Sequence, residues 1–263
     1  LAALFAVLFV SIGVFFSGTI VTLFGADEHV YAMSKTYLQV ILLFAPAFLM
    51  NNVLLCFVRN DGAPQLSMAA MIGGSLSNVV LDWVFIFPCQ MGIFGAAFAT
   101  GLAPIISMMI LSPHFIRKNN QFHFAKCMPE IRRFVRILSS GVPSLVTEVS
   151  SGIVIIVFNS ILLNLAGNVG VAAYGVIANL SLVIIAIYTG IAQGIQPIIS
   201  SNYGAKNTRN IKLILKYAMT TMLILSVLIY VTVFLGASQI AGIFNSEGDA
   251  VLQNIATEGM RLY

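Results

Sequence analysis

The sequence predicts an all-α, polytopic transmembrane helical bundle of about seven spans, and three observations carry that prediction. Charged residues make up only 8% of the 263, against 59% hydrophobic ones, and the mean hydropathy is +0.97. A soluble domain carries about 25% charged residues, so a surface this poor in charge has to face lipid. Apolar runs long enough to cross the roughly 30 Å of bilayer hydrocarbon as helices recur along the chain. The basic residues fall almost entirely on one side of those runs.

Taken in order, the spans are expected at 2–24, 36–58, 65–87, 93–115, 137–165, 171–199 and 213–243, with an eighth segment beginning near Ile255. Polar turns separate them: Asn60-Asp61-Gly62-Ala63-Pro64, Ala166-Gly167-Asn168 and Asn202-Tyr203-Gly204-Ala205-Lys206-Asn207, all rich in residues that break regular structure. A transmembrane β-barrel needs alternating segments of about ten residues; these runs are longer and apolar on every side. With alternate loops on alternate faces, one face holds Arg59, Arg117, Lys118, Lys126, Arg132, Arg133, Arg136, Lys206, Arg209, Lys212 and Lys216. The other holds Lys35 and Arg261, a split of 11 against 2. Positive loops stay in the cytoplasm, which orients the chain, and adding or dropping one span would scramble the split.

The net charge of +4 is spent on those loops, with no basic stripe interleaved with aromatics, so no nucleic-acid partner is expected. Cys56, Cys89 and Cys127 lie far apart without CxxC spacing and read as ordinary thiols, neither a disulfide framework nor a metal site. A chain that opens on Leu1 and stops at Tyr263 is expected to be an internal piece of a longer protein. Residues 117–136, basic and polar, are expected to link a first bundle (1–116) to a second (137–263). A weak parallel repeat supports two bundles. Val21-Thr22-Leu23-Phe24-Gly25-Ala26-Asp27-Glu28 ends the first span and Ile240-Ala241-Gly242-Ile243-Phe244-Asn245-Ser246-Glu247 the seventh. Duplicated bundles are the usual plan of secondary transporters.

Of nine acidic residues, seven sit in loops or at helix ends; Asp82 and Glu148 lie within apolar runs. A charge at the bilayer centre costs at least about 2.5–3.5 kcal/mol, so such residues face a cavity or a partner and mark ion or proton sites. Asn78 precedes Asp82 by one turn and shares its helix face; amide and carboxylate together can ligate a hard monovalent cation, or the carboxylate can hold a proton. The next span opens Gly95-Ala96-Ala97-Phe98-Ala99-Thr100, a small-residue face that permits close helix approach, and Thr100 offers a hydroxyl either to the site or to its own backbone. Glu148 follows Pro143 and is flanked by Thr147, Ser150 and Ser151. Gln193 and Gln196 frame Gly194, with Gly190 one turn earlier and Pro197 next; they read as lining of a polar cavity or as helix-to-helix bonds. His29, His114 and His123 show no ligand spacing. No catalytic motif or nucleotide-binding lysine is present, so neither an enzyme nor an ATP-driven pump is expected, and energy would come from an ion gradient.

Arg59-Asn60-Asp61-Gly62-Ala63-Pro64, Asn78-Val79-Val80-Leu81-Asp82, Gly92 through Thr100, Gly141-Val142-Pro143, and Gln193-Gly194-Ile195-Gln196-Pro197 leading to Asn202-Tyr203-Gly204-Ala205 together resemble the multidrug and toxic compound extrusion family, above all its MepA-like bacterial branch. The resemblance covers essentially the whole chain. It implies twelve helices in two bundles with a drug cavity between them, of which this chain holds helices three to nine and the start of ten. It also implies a monomeric antiporter in the bacterial cytoplasmic membrane that exchanges Na+ or H+ for small organic cations, with no further cofactor. Asn78, Asp82 and Thr100 match three of the four residues of the cation site that some members carry, the fourth lying outside this chain. Glu148 resembles an essential glutamate of other members, though it stands about one turn closer to its proline. The cavity residues implied here are Gln193, Gln196 and Ser150. Two other readings stand beside it. A lipid-linked saccharide flippase would want cationic residues in its cavity, and none lies in the interior of the expected spans, Lys216 standing in the first turn of the seventh. A seven-helix receptor would place its ends on the opposite faces to those the charge split assigns.

Overall fold

The computed structural model describes residues 1–24, 28–117, 120, 130–245 and 249–262, without the side chains of Glu28, His29 and Asn168. Asp27, Glu247, His123, Cys127, Lys118, Lys126 and most of the expected linker lie outside these residues. The described residues are α-helical throughout, joined by short turns, in two compact units, Leu1–Cys127 and Met128–Tyr263.

In the first unit α1 (Ala2–Phe15) and α2 (Ser17–Leu23) meet at 74°, and α3 (Glu28–Leu43) and α4 (Ala45–Asn60) at 46°. Each bent pair occupies one of the first two expected spans. The second bend has a plain cause: Pro46 has no N–H to give to a carbonyl one turn earlier and its ring crowds that turn, so the helix breaks at Phe44 (φ −85°, ψ 2°). The freed Phe44 ring lies against Gly101, where a Cβ would come within 2.3 Å of it, and meets Phe98 edge-on at 5.7 Å. At the first bend the Ser17-Gly18 pair supplies a sequence typical of kinks.

Gly62 (φ 86°) turns the chain, and Pro64 opens α5 (Pro64–Ile86) at the one helical position where a missing N–H costs nothing. α6 (Gly92–Ile116) returns alongside it. The small-residue face expected of this helix is buried: Gly95, Ala97, Ala99 and Gly101 are all turned inward. At Gly95 a Cβ would come within 2.9 Å of the Cβ atoms of Phe85 and Met91, so only hydrogen fits. On the other side of the contact, a Cβ at Gly74 would meet the Ala103 carbonyl oxygen and Ser107 Cβ at 3.1 Å.

In the second unit the fifth and sixth expected spans form one long element, α7 (Ile131–Gly204), broken at Gly167. Gly167 has φ 61° and ψ −154°, a region open essentially to glycine alone. Residues 131–136, assigned from sequence to the linker, are already helical. Glu130, itself extended (φ −93°, ψ 121°), precedes the first turn, and its carboxylate pairs with Arg133 Nε at 2.7 Å across that turn. α8 (Thr208–Phe244) starts under an Asn207 cap whose side-chain oxygen accepts the Asn210 N–H. α9 (Ala250–Leu262) starts under Asp249, whose Oδ1 accepts the N–H groups of Val251 and Leu252. α9 is the eighth segment expected near Ile255, and Arg261 within it lies with its guanidinium 5.6 Å from the Phe234 ring. The arm of α7 after Gly167 packs on α8 and α9 through Ala173, Val176, Ile177, Ala237, Ala241, Ala256 and Met260. The close packing expected at Gly190 and Gly194 is not found: nothing among the described residues stands within 4 Å of a Cβ at either.

Five helical segments are long and apolar enough to cross a membrane, or seven with each bent pair counted as one span. The protein is therefore a multi-pass membrane protein. Two outcomes follow. Cys89, exposed in the turn between α5 and α6, lies opposite the basic loops; a membrane-impermeant maleimide added to intact cells should label it, and labelling confined to everted vesicles would reverse the orientation. Gly95→Val should lower the thermal midpoint in detergent, at a cost of about 1–3 kcal/mol from overpacking. Gly236→Ala, which meets only ordinary contacts at 3.8–4.0 Å, should leave it within about 0.5 kcal/mol.

Candidate functional site

A groove of about 310 Å³ opens between α4, α5 and α6 in the first unit, with Asn51, Asn52, Ser75, Asn78, Thr100 and Ser107 as its polar lining. Three helices bring these groups together because the glycine contacts above let α5 and α6 close up. Asn78 Nδ2 donates to Thr100 Oγ1 at 3.4 Å, a long bond, while Thr100 Oγ1 donates to the Ala96 carbonyl at 3.0 Å. Thr100 thus bonds its own backbone and also meets Asn78.

Asp82 follows Asn78 by one turn on α5 and is half-buried; its Oδ1 is enclosed and has no hydrogen-bond partner. Two further orphaned atoms lie in the groove itself, Asn51 Oδ1 and Ser107 Oγ. A buried polar atom without a partner costs about 1–3 kcal/mol, and three on neighbouring helices are an arrangement that water, a proton or a cation would complete. The oxygens present are of the hard kind that suits a monovalent cation. Among the described residues no three His, Cys, Asp or Glu side chains gather in a way that could hold a metal ion, so a resident transition-metal centre finds no support there.

The remaining candidates lie in the second unit and are less assembled. Glu148 and Ser150 are exposed on the first arm of α7. The hydroxyls expected to surround the carboxylate point elsewhere: Thr147 donates to the Pro143 carbonyl at 2.9 Å and Ser151 to the Thr147 carbonyl at 3.0 Å. A hydroxyl in a helix has its own carbonyl one turn back within reach, and that local bond wins. Gln193 is half-buried and Gln196 exposed on the second arm.

Sequence reasoning missed Asn51, Ser75 and Ser107, as well as a second polar cluster at the end of α6. There His114, set aside for lack of ligand spacing, is buried with Asp61. Their side chains are 5% and 7% exposed, and Nε2 lies 2.8 Å from Oδ2. One signal was available: Thr100, Ser107 and His114 recur every seven residues and so share one face of α6.

Fold and groove define a class, a multi-helix membrane protein with polar chemistry enclosed between its helices. The profile of the MatE family matches residues 1–84 and 143–262. The chain belongs to the MatE family. Asn78, Asp82, Glu148, Ser150, Gln193 and Gln196 fall inside the matched stretches, and Thr100 between them. The chain is 28% identical over 246 residues to the multidrug export protein MepA of Staphylococcus saprophyticus subsp. saprophyticus, covering 93% of this chain and 54% of that protein. It is 26% identical over 238 residues to MepA of Staphylococcus aureus strain MSSA476, covering 90% and 52%. It therefore spans about half the length of these curated relatives. Among solved structures, an outward-facing multidrug resistance MATE family transporter of the MOP superfamily superposes with a TM-score of 0.85 at 25% identity, over 99% of this chain and 59% of that one. A MOP superfamily transporter from Pyrococcus furiosus, described as having a binding pocket of reversed polarity that suggests a different function, gives 0.86 at 25% identity over the same shares.

The orphaned groove atoms separate structural from functional hydroxyls. Ser67 Oγ, buried at 2%, donates to the Leu55 carbonyl at 3.1 Å, and Ser67→Ala should cost about 1 kcal/mol. Ser107, equally buried but unbonded, should tolerate Ser107→Ala with an unchanged or higher thermal midpoint in detergent. A loss at Ser107 as large as that at Ser67 would show that Ser107 is structurally bonded.

Proposed function

We propose that this chain is part of an antiporter, coupled to Na+ or H+, that exports small organic and mostly cationic compounds by alternating access across the bacterial cytoplasmic membrane, working as a monomer with its basic loops inside. The observation that carries the reading is the enclosed, unpartnered Oδ1 of Asp82, one turn from the Asn78–Thr100 contact. An unneutralised carboxylate in such a place is costly. A proton, a sodium ion or the charge of an organic cation each removes that cost, and a single carboxylate accepts one of them at a time. Mutual exclusion of this kind is what exchange requires: arrival of the coupling ion expels the drug, and its departure on the other face readmits the drug. Two proteins to which the chain is similar are named multidrug export proteins, which supports the direction and breadth of transport. Glu148 is the second carboxylate within a span, and we assign it the same kind of exchange in the second unit, with Ser150, Gln193 and Gln196 meeting the substrate.

Efflux of a fluorescent organic cation from vesicles, with Na+ and pH gradients imposed separately, tests the reading. Asp82→Asn should reduce gradient-driven efflux on the order of 100-fold, corresponding to about 3 kcal/mol on the barrier, while the protein still inserts. Efflux at the parent rate in Asp82→Asn would refute the assignment of the site.

A further inference from the structure

The groove ends, on its basic-loop side, in a closure that nothing above has used. Below Ser107, the residues Leu55, Val58, Ala70 and Leu111 form one apolar layer from α4, α5 and α6, each at most 6% exposed. Beyond that layer His114 of α6 meets Asp61, the residue that ends α4 and begins the turn into α5. A carboxylate only accepts hydrogen bonds, so Nε2 carries the proton and donates to Oδ2. The contact ties the α4–α5 turn to the third helix of the layer, and Phe115 backs the imidazole edge-on at 5.9 Å. Among the described residues, the charges brought to this end are Arg59 from α4 and Arg117 from α6; the first turns of α5 bring none. The Arg59 guanidinium also reaches Cys56 Sγ at 3.4 Å.

We propose that His114 and Asp61 form a clasp that keeps the basic-side end of the groove closed, and that the proton concentration on that face sets how firmly it holds. With the imidazole protonated the contact is a buried ion pair; with it neutral the carboxylate keeps the hydrogen bond but loses the attraction of the opposite charge. Imidazole is the side chain that ordinarily changes charge near neutral pH. Acidification on the basic-loop side therefore tightens the layer over Ser107, and alkalinisation loosens it. The inference takes from the proposed function only the groove and the orientation. Its test reads water access rather than transport, so either idea can fail alone.

The reporter is Ser107→Cys in a chain whose three native cysteines are changed to serine. It is reacted from the basic-loop face of everted vesicles with a charged, membrane-impermeant thiol reagent. Rates are divided by those of the same thiol in detergent-denatured protein at the same pH, which removes the effect of the thiolate fraction. The clasp predicts a normalised rate that rises about tenfold between pH 6 and pH 8.5, as an ion pair gives way to a hydrogen bond from a neutral donor. Asp61→Asn and His114→Gln should react fast at both pH values, and the exchange D61H with H114D should restore protection. Equal normalised rates at the two pH values, or single variants no faster than their parent, would overturn the proposal. The pH profile needs no substitution at the clasp, so it decides the matter even where a clasp variant does not insert.

Discussion

The close approach of α5 and α6 is the contact on which the rest of the first unit depends. In lipid no hydrophobic force drives helices together, because the tails are as apolar as the side chains; packing and hydrogen bonds must do it. Gly95 from α6 against Phe85, and Gly74 from α5 against Ala103 and Ser107, remove the side chains that would hold the two backbones apart. Phe44, released from its helix by Pro46, then seats against Gly101 and Phe98, so the bend in the second span and the α5–α6 contact are one piece of packing. Without the approach, Asn78 would not reach Thr100 and the groove would have no shared polar wall.

Inside this framework the protein treats its polar side chains in two ways. Ser11, Thr22, Thr36, Asn52, Ser77, Thr147, Ser151 and Thr220 all donate to the carbonyl one turn back on their own helix. That local bond makes a hydroxyl or amide inexpensive in hydrocarbon; Thr100 makes it too and still accepts from Asn78. Asn51 Oδ1, Asp82 Oδ1 and Ser107 Oγ take no such bond, and a carboxylate cannot donate one, being only an acceptor. The difference is between polar groups that the helix satisfies by itself and polar groups that need something from outside.

That difference explains how much was legible in the sequence. Lengths of apolar runs and the side on which Arg and Lys fall are properties of the chain itself, so the spans and the small-residue face of α6 could be read directly. Asp82, Asn78 and Thr100 could be read because one turn separates the first two and the third follows a packing motif. The bends at Phe44 and Gly167 are local, but their angles depend on what the freed segments pack against. The burial of His114 depends on a partner 53 residues earlier, and no spacing rule joins a turn residue to the far end of another helix. Glu148 shows the opposite failure: Thr147, Ser150 and Ser151 are close to it in sequence, and the hydroxyls of Thr147 and Ser151 went to the backbone instead.

The stripe Thr100, Ser107 and His114 draws these points together. Seven residues fall about 20° short of two full helical turns, so three polar groups at this spacing stay on one face over four turns. Pro104 lies between the first two and Leu111 between the last two. A face that carried a polar group at every turn would leave each polar side chain beside a neighbour able to satisfy it. Two turns of separation instead put an apolar residue between successive polar levels. Thr100 faces Asn78, Ser107 is left unbonded, and His114 finds Asp61 beyond the apolar layer. One helix thereby sets the depth of the groove, its floor and its closure, and α4 and α5 supply a partner at the first and last of these levels.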